Sequence, residues 1–294
     1  MPTAVILGTA TPGGGFPVYG QAFAETVNEF ETGLEIKTRN TKGSTENIPL
    51  LEAGEIDLGL VQGEAALEAL NGLGRPPADL RIIAAMYASP GMFVVRADAP
   101  YRAISDLVGK RIAFGAKGSG LVILARYVLD GLGIDRDKDF DAVFLDRAGD
   151  GPQMVMSGEA AALWGAGVGW PGFNAVTNGP AGGRFIVPDA GEITRIQAKH
   201  PFLKTLTVPA GTYPAQSSPI VSVGSWSFVL ARPDLADETA YKVARALHKG
   251  EAAIAARLEQ ARETTAANTV SAAPKRELIH SGVQRHLQEA GLLR

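Results

Sequence analysis

Short apolar runs, glycine-rich breaks and amphipathic stretches alternate along the chain. Ala4-Val5-Ile6-Leu7 has the length of a strand and leads into Gly8-Thr9-Ala10-Thr11-Pro12-Gly13-Gly14-Gly15. Beyond these glycines Tyr19, Phe23, Val27 and Phe30 recur at helical spacing, which predicts a helix through 21–31 with one buried face. The same unit returns as the strand Arg111–Phe114 and the loop Gly115-Ala116-Lys117-Gly118-Ser119-Gly120. A helix follows, with Ile123, Tyr127, Val128 and Leu132 on one side.

Further strands are predicted at 56–61, 81–86, 92–96 and 220–230. Ser44-Thr45 reads as the N-cap of a helix over 46–53, and 104–109 reads as a short capped helix. The Ala-rich stretch 251–267 and an amphipathic segment around Val283, Leu287 and Leu292 read as packing helices. Strands alternating with helices predict an α/β fold.

The chain has 294 residues, and at ~150 residues per domain it is long enough for two domains. Turn-rich segments at 97–100 and 213–219 are the natural breaks. They predict one lobe built from 1–96 with 222–294 and a second from 97–221, joined by two crossing segments.

Composition narrows the function. Twenty-eight Lys+Arg against 31 Asp+Glu give a net charge of −3, without the basic surplus that nucleic-acid binding needs. The absence of cysteine excludes disulfides, thiolate metal sites and a cysteine nucleophile. It also suits an oxidising compartment. No apolar run approaches the ~20 residues of a membrane-spanning helix. The N-terminus has no basic start and apolar run of a secretory signal. The chain is either cytosolic or a mature form from which such a segment has been removed.

A glycine-rich loop between a strand and a helix offers backbone N–H groups beside the positive end of the helix dipole, and so can receive an anion. Gly13-Gly14 and Gly118-Ser119 are two such loops, although for either one alone a tight turn without a ligand is the plainer reading. The first carries neither the third glycine of a dinucleotide fingerprint, since Val18 stands there, nor a Walker lysine. Gln62, at the end of the 56–61 strand, stands where α/β sheets place ligand-facing residues; a hydrogen bond to a loop carbonyl is its plainer reading. Phe16, Tyr19, Trp164 and Trp170, the last two in the glycine-rich 164–183, could form an apolar wall or simply fill cores. His280 and His286 lie in a polar segment and read as solvated. The acids Asp135, Asp137, Asp139 and Asp141 alternate as in a calcium loop, but Phe140 and Asp146 stand where that loop needs Gly and Glu. A solvated turn is expected there. No H-E-x-x-H or G-x-S-x-G hydrolase signature is present.

Several blocks together resemble the TAXI family of solute receptors from TRAP transport systems. Gly8-Thr9 with Gly13-Gly14 and Phe16 is similar to that family's opening loop. Gly43-Ser44-Thr45-Glu46-Asn47 with Leu50-Leu51, followed by 54–62 ending in Gln62, is similar to its second block. Residues 107–120, Gly211-Thr212-Tyr213-Pro214, Val223-Gly224 and 280–291 continue the series. The chain departs from the family pattern at Ala10-Thr11, in 158–164 and at Lys117.

The resemblance implies a two-lobed, periplasmic-binding-protein-like α/β fold of type II that closes around a solute. It implies a periplasmic receptor, monomeric, without cofactor or metal, that binds a small organic acid or amino acid and delivers it to a TRAP-type membrane permease. Loop donors in Thr9, Thr11, Gly13, Gly14, Lys117, Gly118 and Ser119 would hold a carboxylate together with Ser44, Thr45 and Gln62. Phe16, Tyr19, Gly167 and Trp170 would line the non-polar side. The alternatives are an enzyme on the same scaffold, similar to a thiamine-precursor synthase, and a ligand-sensing domain.

Overall fold

The computed structural model describes residues 2–294. The chain divides into two compact units. The first comprises the chain up to Ala10, Phe16–Tyr87 and Trp226–Arg294; the second comprises Thr11–Gly15 and Ala88–Ser225.

The first unit opens with β1 (Thr3–Gly8), α1 (Gly15–Phe30), β2 (Leu34–Arg39), α2 (Ser44–Glu52), β3 (Leu58–Val61) and α3 (Gly63–Asn71). β1 pairs parallel with both β2 and β3, with Val5 opposite Ile36 and Leu7 opposite Leu58. The long strand β4 (Arg81–Arg96) then carries the chain into the second unit. That unit continues with β5 (Arg111–Ala116), α4 (Gly120–Gly131), β6 (Asp141–Leu145), α5 (Gly151–Ser157), β7 (Ala162–Ala166), α6 (Pro171–Thr177), β8 (Gly183–Ile186), α7 (Ala190–Lys199) and β9 (Lys204–Val208). β5 lies parallel to β6 and β7, while β4 runs antiparallel to β7 and β8. β10 (Ile220–Ala231) returns the chain, pairing antiparallel first with β9 and then, through Phe228–Ala231, with β3. Helices α8 (Asp237–Lys249), α9 (Glu251–Arg257), α10 (Ala266–Ala272) and α11 (Ser281–Glu289) complete the first unit. The expected α/β alternation is what the chain adopts.

Each unit has its own core. In the first, Val5, Leu7, Leu58 and Leu60 from the strands meet Tyr19, Phe23 and Val27 of α1. Tyr19 and Phe23, one helical turn apart, are wholly buried, and the Tyr19 ring meets Tyr87 edge-on at 5.6 Å. The second core gathers Phe93, Phe114, Trp164, Trp170 and Phe173. Burying side chains of this size contributes roughly 1.5–3 kcal/mol each.

Several local expectations change. The separate strands 81–86 and 92–96 are one strand, β4. Ser89-Pro90-Gly91, between the two, are all buried, and the Pro90 carbonyl accepts the Gly167 N–H. The chain therefore passes between units inside β4 and β10, at Tyr87/Ala88 and Ser225/Trp226. The turn-rich 97–100 and 213–219, and the expected breaks at 96/97 and 221/222, fall within the second unit. The Ala-rich stretch 251–267 is not one helix: it is α9, a 3₁₀ turn over Glu259–Glu263, and the start of α10. The short helix at 104–109 is a 3₁₀ turn, Ile104–Leu107. Among the described residues no helix is long and apolar enough to cross a membrane.

β4 and β10 approach so closely in the second unit that a side chain on Gly224 would place its Cβ 2.0 Å from the Ser89 carbonyl oxygen and 2.8 Å from its carbon. Backbone cannot yield as a side chain can. Gly224→Ala is expected to destabilise the protein by about 2–3 kcal/mol, read as a lowered urea midpoint with an unchanged slope.

Candidate functional site

In the first unit, the C-terminal ends of β2, β1 and β3 are tied together by side chains. The Thr9 hydroxyl donates to the Arg39 carbonyl at 3.2 Å, and the Thr41 hydroxyl donates to the Thr9 carbonyl at 3.1 Å. Asn47, wholly buried on α2, donates its side-chain amide to the carbonyls of Thr9 (2.8 Å), Leu60 (2.8 Å) and Gly8 (3.3 Å). These carbonyls lie at the strand ends, and Asn47 satisfies groups that burial would otherwise leave costly. The same bonds fix the start of α2 against the end of β3.

Ser44 and Gln62 meet there. Ser44 is wholly buried, and its Oγ accepts the Gln62 main-chain N–H at 3.1 Å. The expected capping role is not the one Ser44 performs. Gly43, at φ 113°, is the N-cap and has no side-chain cap bond, while Ser44 and Thr45 are the first helical residues. Thr45 is exposed. Gln62 is the N-cap of α3 and only 4% exposed, and its Nε2 has no hydrogen-bond partner. Two helix N-termini thus converge beside a buried amide donor with nothing to donate to. Each first turn also carries an acid: Glu46, whose carboxylate accepts the Lys42 N–H, and Glu64, which is wholly buried.

The second unit has a donor set of its own. Ser119 caps α4, its Oγ accepting the Leu121 N–H at 3.2 Å, and the first turn of α4 has no acidic residue. Gly118 is buried and Lys117 exposed. Lys117 pairs with the equally exposed Asp146 at 3.0 Å, an interaction worth at most about 1 kcal/mol. Residues Thr11–Gly15 group with this unit. The Thr11 hydroxyl accepts the Ala148 N–H at 3.2 Å. Gly13 fits so closely against Gly149 that a Cβ would lie 2.5 Å from its Cα, and Gly14 is buried. Gly167, at φ 97°, turns the chain after β7, where Tyr213 holds the loop by accepting the Gly169 N–H at 2.9 Å. Burial pushes the Tyr213 phenol up to about 12, so it remains protonated while it accepts this bond.

Three of the four aromatic residues are buried in the cores of their own units. Tyr19 is wholly buried and its hydroxyl meets Thr264 Oγ1 at 3.1 Å; burial pushes its phenol well above the ordinary value. Trp164 is wholly buried and donates to the Leu121 carbonyl at 2.9 Å. Trp170 lies over Gly165, where an added Cβ would be 2.6 Å from the indole, and meets Phe173 edge-on. Phe16 is half-buried against the first core.

Sequence reasoning placed Ser44 and Gln62 together but assigned nothing to Asn47 or Tyr213. A polar residue just before the apolar Ile48 on the buried face of α2 was the available signal for Asn47. Among the described residues there is no cluster of three His, Cys, Asp or Glu that could hold a metal. Replacing Asn47 by Ala leaves three carbonyls unpaired and is expected to cost about 3 kcal/mol, measurable by urea denaturation. Thr45→Ala, on the exposed face, should stay within about 0.5 kcal/mol of the parent.

The fold is shared with solved structures at low sequence identity. One is a substrate-binding protein of an amino acid ABC transporter (14% identity, TM-score 0.53, covering 88% of this chain and 98% of that one). A second is the alkanesulfonate-binding protein SsuA from Xanthomonas axonopodis pv. citri bound to MOPS (17%, TM-score 0.53, covering 100% and 95%). A third is a TctC solute binding protein from Polaromonas (17%, TM-score 0.51, covering 90% and 89%). The pattern of the NMT1-like family matches residues 7–291, so nearly the whole chain takes part in the match, and the protein belongs to the NMT1-like family.

Proposed function

We propose that this chain is an extracytoplasmic solute receptor of the TAXI type, which binds a small organic acid or amino acid and hands it to a TRAP-type permease. One observation carries the reading: the Gln62 amide, buried and without an acceptor, beside Ser44 at the C-terminal end of β3. Leaving such a donor unpaired costs roughly 1–3 kcal/mol, which a solute carrying an acceptor recovers. Parallel sheets place ligands at this end of their strands.

The solute carries an acceptor for the Gln62 amide. In the second unit, the N-terminus of α4 suits an anion, because it has donors and no acid in its first turn. The alkanesulfonate-binding protein of the same fold, bound to MOPS, extends the panel to sulfonates. Receptors of this kind work outside the cytoplasm, and the absence of cysteine fits that setting.

A thermal-shift panel of amino acids, branched and aromatic carboxylic acids and alkanesulfonates, followed by calorimetry, tests the proposal. At least one carboxylate should stabilise the parent. Gln62→Ala and Ser119→Ala should each weaken its binding about tenfold or more, and the solute should be recovered unchanged. Equal binding by both variants overturns the site assignment. Turnover abolished by Lys117→Ala would instead favour the enzyme reading.

A further inference from the structure

All the histidines of the first unit lie around α11, and two of them are buried rather than solvated as their polar segment suggested. His280 is 3% exposed and His286 9% exposed. His280 is the N-cap of α11. Its Nδ1 accepts the Gly282 N–H at 3.2 Å, and its Nε2 lies 3.0 Å from the Leu235 carbonyl. These two bonds assign the neutral tautomer with the proton on Nε2. Its main-chain N–H also donates to the Ile82 carbonyl at 2.9 Å.

A turn and a half further along, His286 Nε2 lies 3.1 Å from Nδ1 of His248 on α8. The ring centroids are 5.2 Å apart, so the two nitrogens point nearly end to end. That geometry accommodates one N–H facing one lone pair, but not two N–H groups facing each other. A small cavity lined by Thr264, Thr265, Thr269, Val283 and Leu287 adjoins the pair.

We propose that α11 is an acid-released clasp: neutral histidines at its N-cap and on its α8 face hold it to the first unit, and their protonation lets it go. A proton on His280 Nδ1 faces the Gly282 N–H and removes the cap. Two N–H groups cannot face each other across 3.1 Å, so the contact to His286 holds only while one of the two nitrogens keeps its lone pair.

The surroundings set the sign. Burial holds both His280 and His286 below the ordinary value of 6.5. For His280, Asp237 at 3.8 Å favours the charged form and Arg81 opposes it. For His286, the neighbouring His248, Arg245 and Lys249 oppose charge, while Glu289 favours it. Tyr241 meets the His286 ring edge-on, and its hydroxyl donates to Glu289. Arg285 pairs with Glu238, and the Ser281 hydroxyl donates to Asp237. Because the folded-state values are lowered, this stabilisation is complete above 6.5 and is lost as pH falls through the folded values. Release uncovers Val283 and Leu287, which are buried in the first core.

Hydrogen exchange of the full chain at pH 7.5 and 5.0, corrected for intrinsic rates, tests the clasp. Protection over 281–289 should fall on the order of tenfold or more at pH 5.0, since each unit of lowered pKa is worth a factor of ten, while α4 in the second unit keeps its protection. His280→Asn retains a capping acceptor and His286→Gln retains polarity; together they should abolish the acid response. Equal loss in both units, no loss in either, or an undiminished response in the double variant overturns the proposal. Should that variant fail to fold, NMR titration of the parent's imidazoles decides: values at or above 6.5 for both His280 and His286 also overturn it.

Discussion

The first unit depends on the hydrogen-bonding debt of three carbonyls. Where β1 and β3 stop pairing, Gly8, Thr9 and Leu60 point C=O groups into a region closed to water, and one Asn47 side-chain amide takes all three. The position of α2 follows, since its second turn cannot move without leaving those groups unpaired. Ser44, three residues earlier on the same buried face, is carried to the end of β3. There its hydroxyl fixes the Gln62 N–H and with it the start of α3. The candidate site is therefore a by-product of finishing a parallel sheet. A rigid polar frame of this kind holds the Gln62 donor in one place, and a donor so held costs less to order when an acceptor binds it.

The second unit is governed by aromatic volume rather than by polar ties. Trp164 and Trp170 lie on or just after the central β7 and reach positions where the adjoining backbone must be bare. Gly91 faces the Trp164 ring and Gly165 faces Trp170, each at distances that a methyl group could not share. Within the glycine-rich 164–183, Gly165 and Gly172 are bare because of the Trp170 ring. Both indoles are packed into the core of the second unit.

These two regimes account for what the sequence disclosed. Period-two and helical apolar patterns reveal β1, α1, β5, α4 and β10, because burial of one face dictates them. The convergence of Ser44 and Gln62 is visible from their positions at a helix start and a strand end. What the sequence concealed depends on tertiary context. Ser89-Pro90-Gly91 carries turn chemistry, yet it continues β4 because the Pro90 carbonyl is satisfied by Gly167 and Gly91 is demanded by Trp164. His280 and His286 occupy a polar stretch but face inward, since α11 places Val283 and Leu287 on the same face. Polarity along the chain counts exposed neighbours and is blind to which turn of a helix carries the histidine.

The electrostatic contrast between the two donor sets bears on what a solute must look like. A helix N-terminus behaves as roughly half a positive charge, and a carboxylate in its first turn largely cancels it. α2 and α3 carry Glu46 and Glu64 there, whereas α4 carries none. An anion at the start of α4 would meet the helix dipole and an exposed lysine. By this contrast the start of α4 is better suited to an anion than the start of α2.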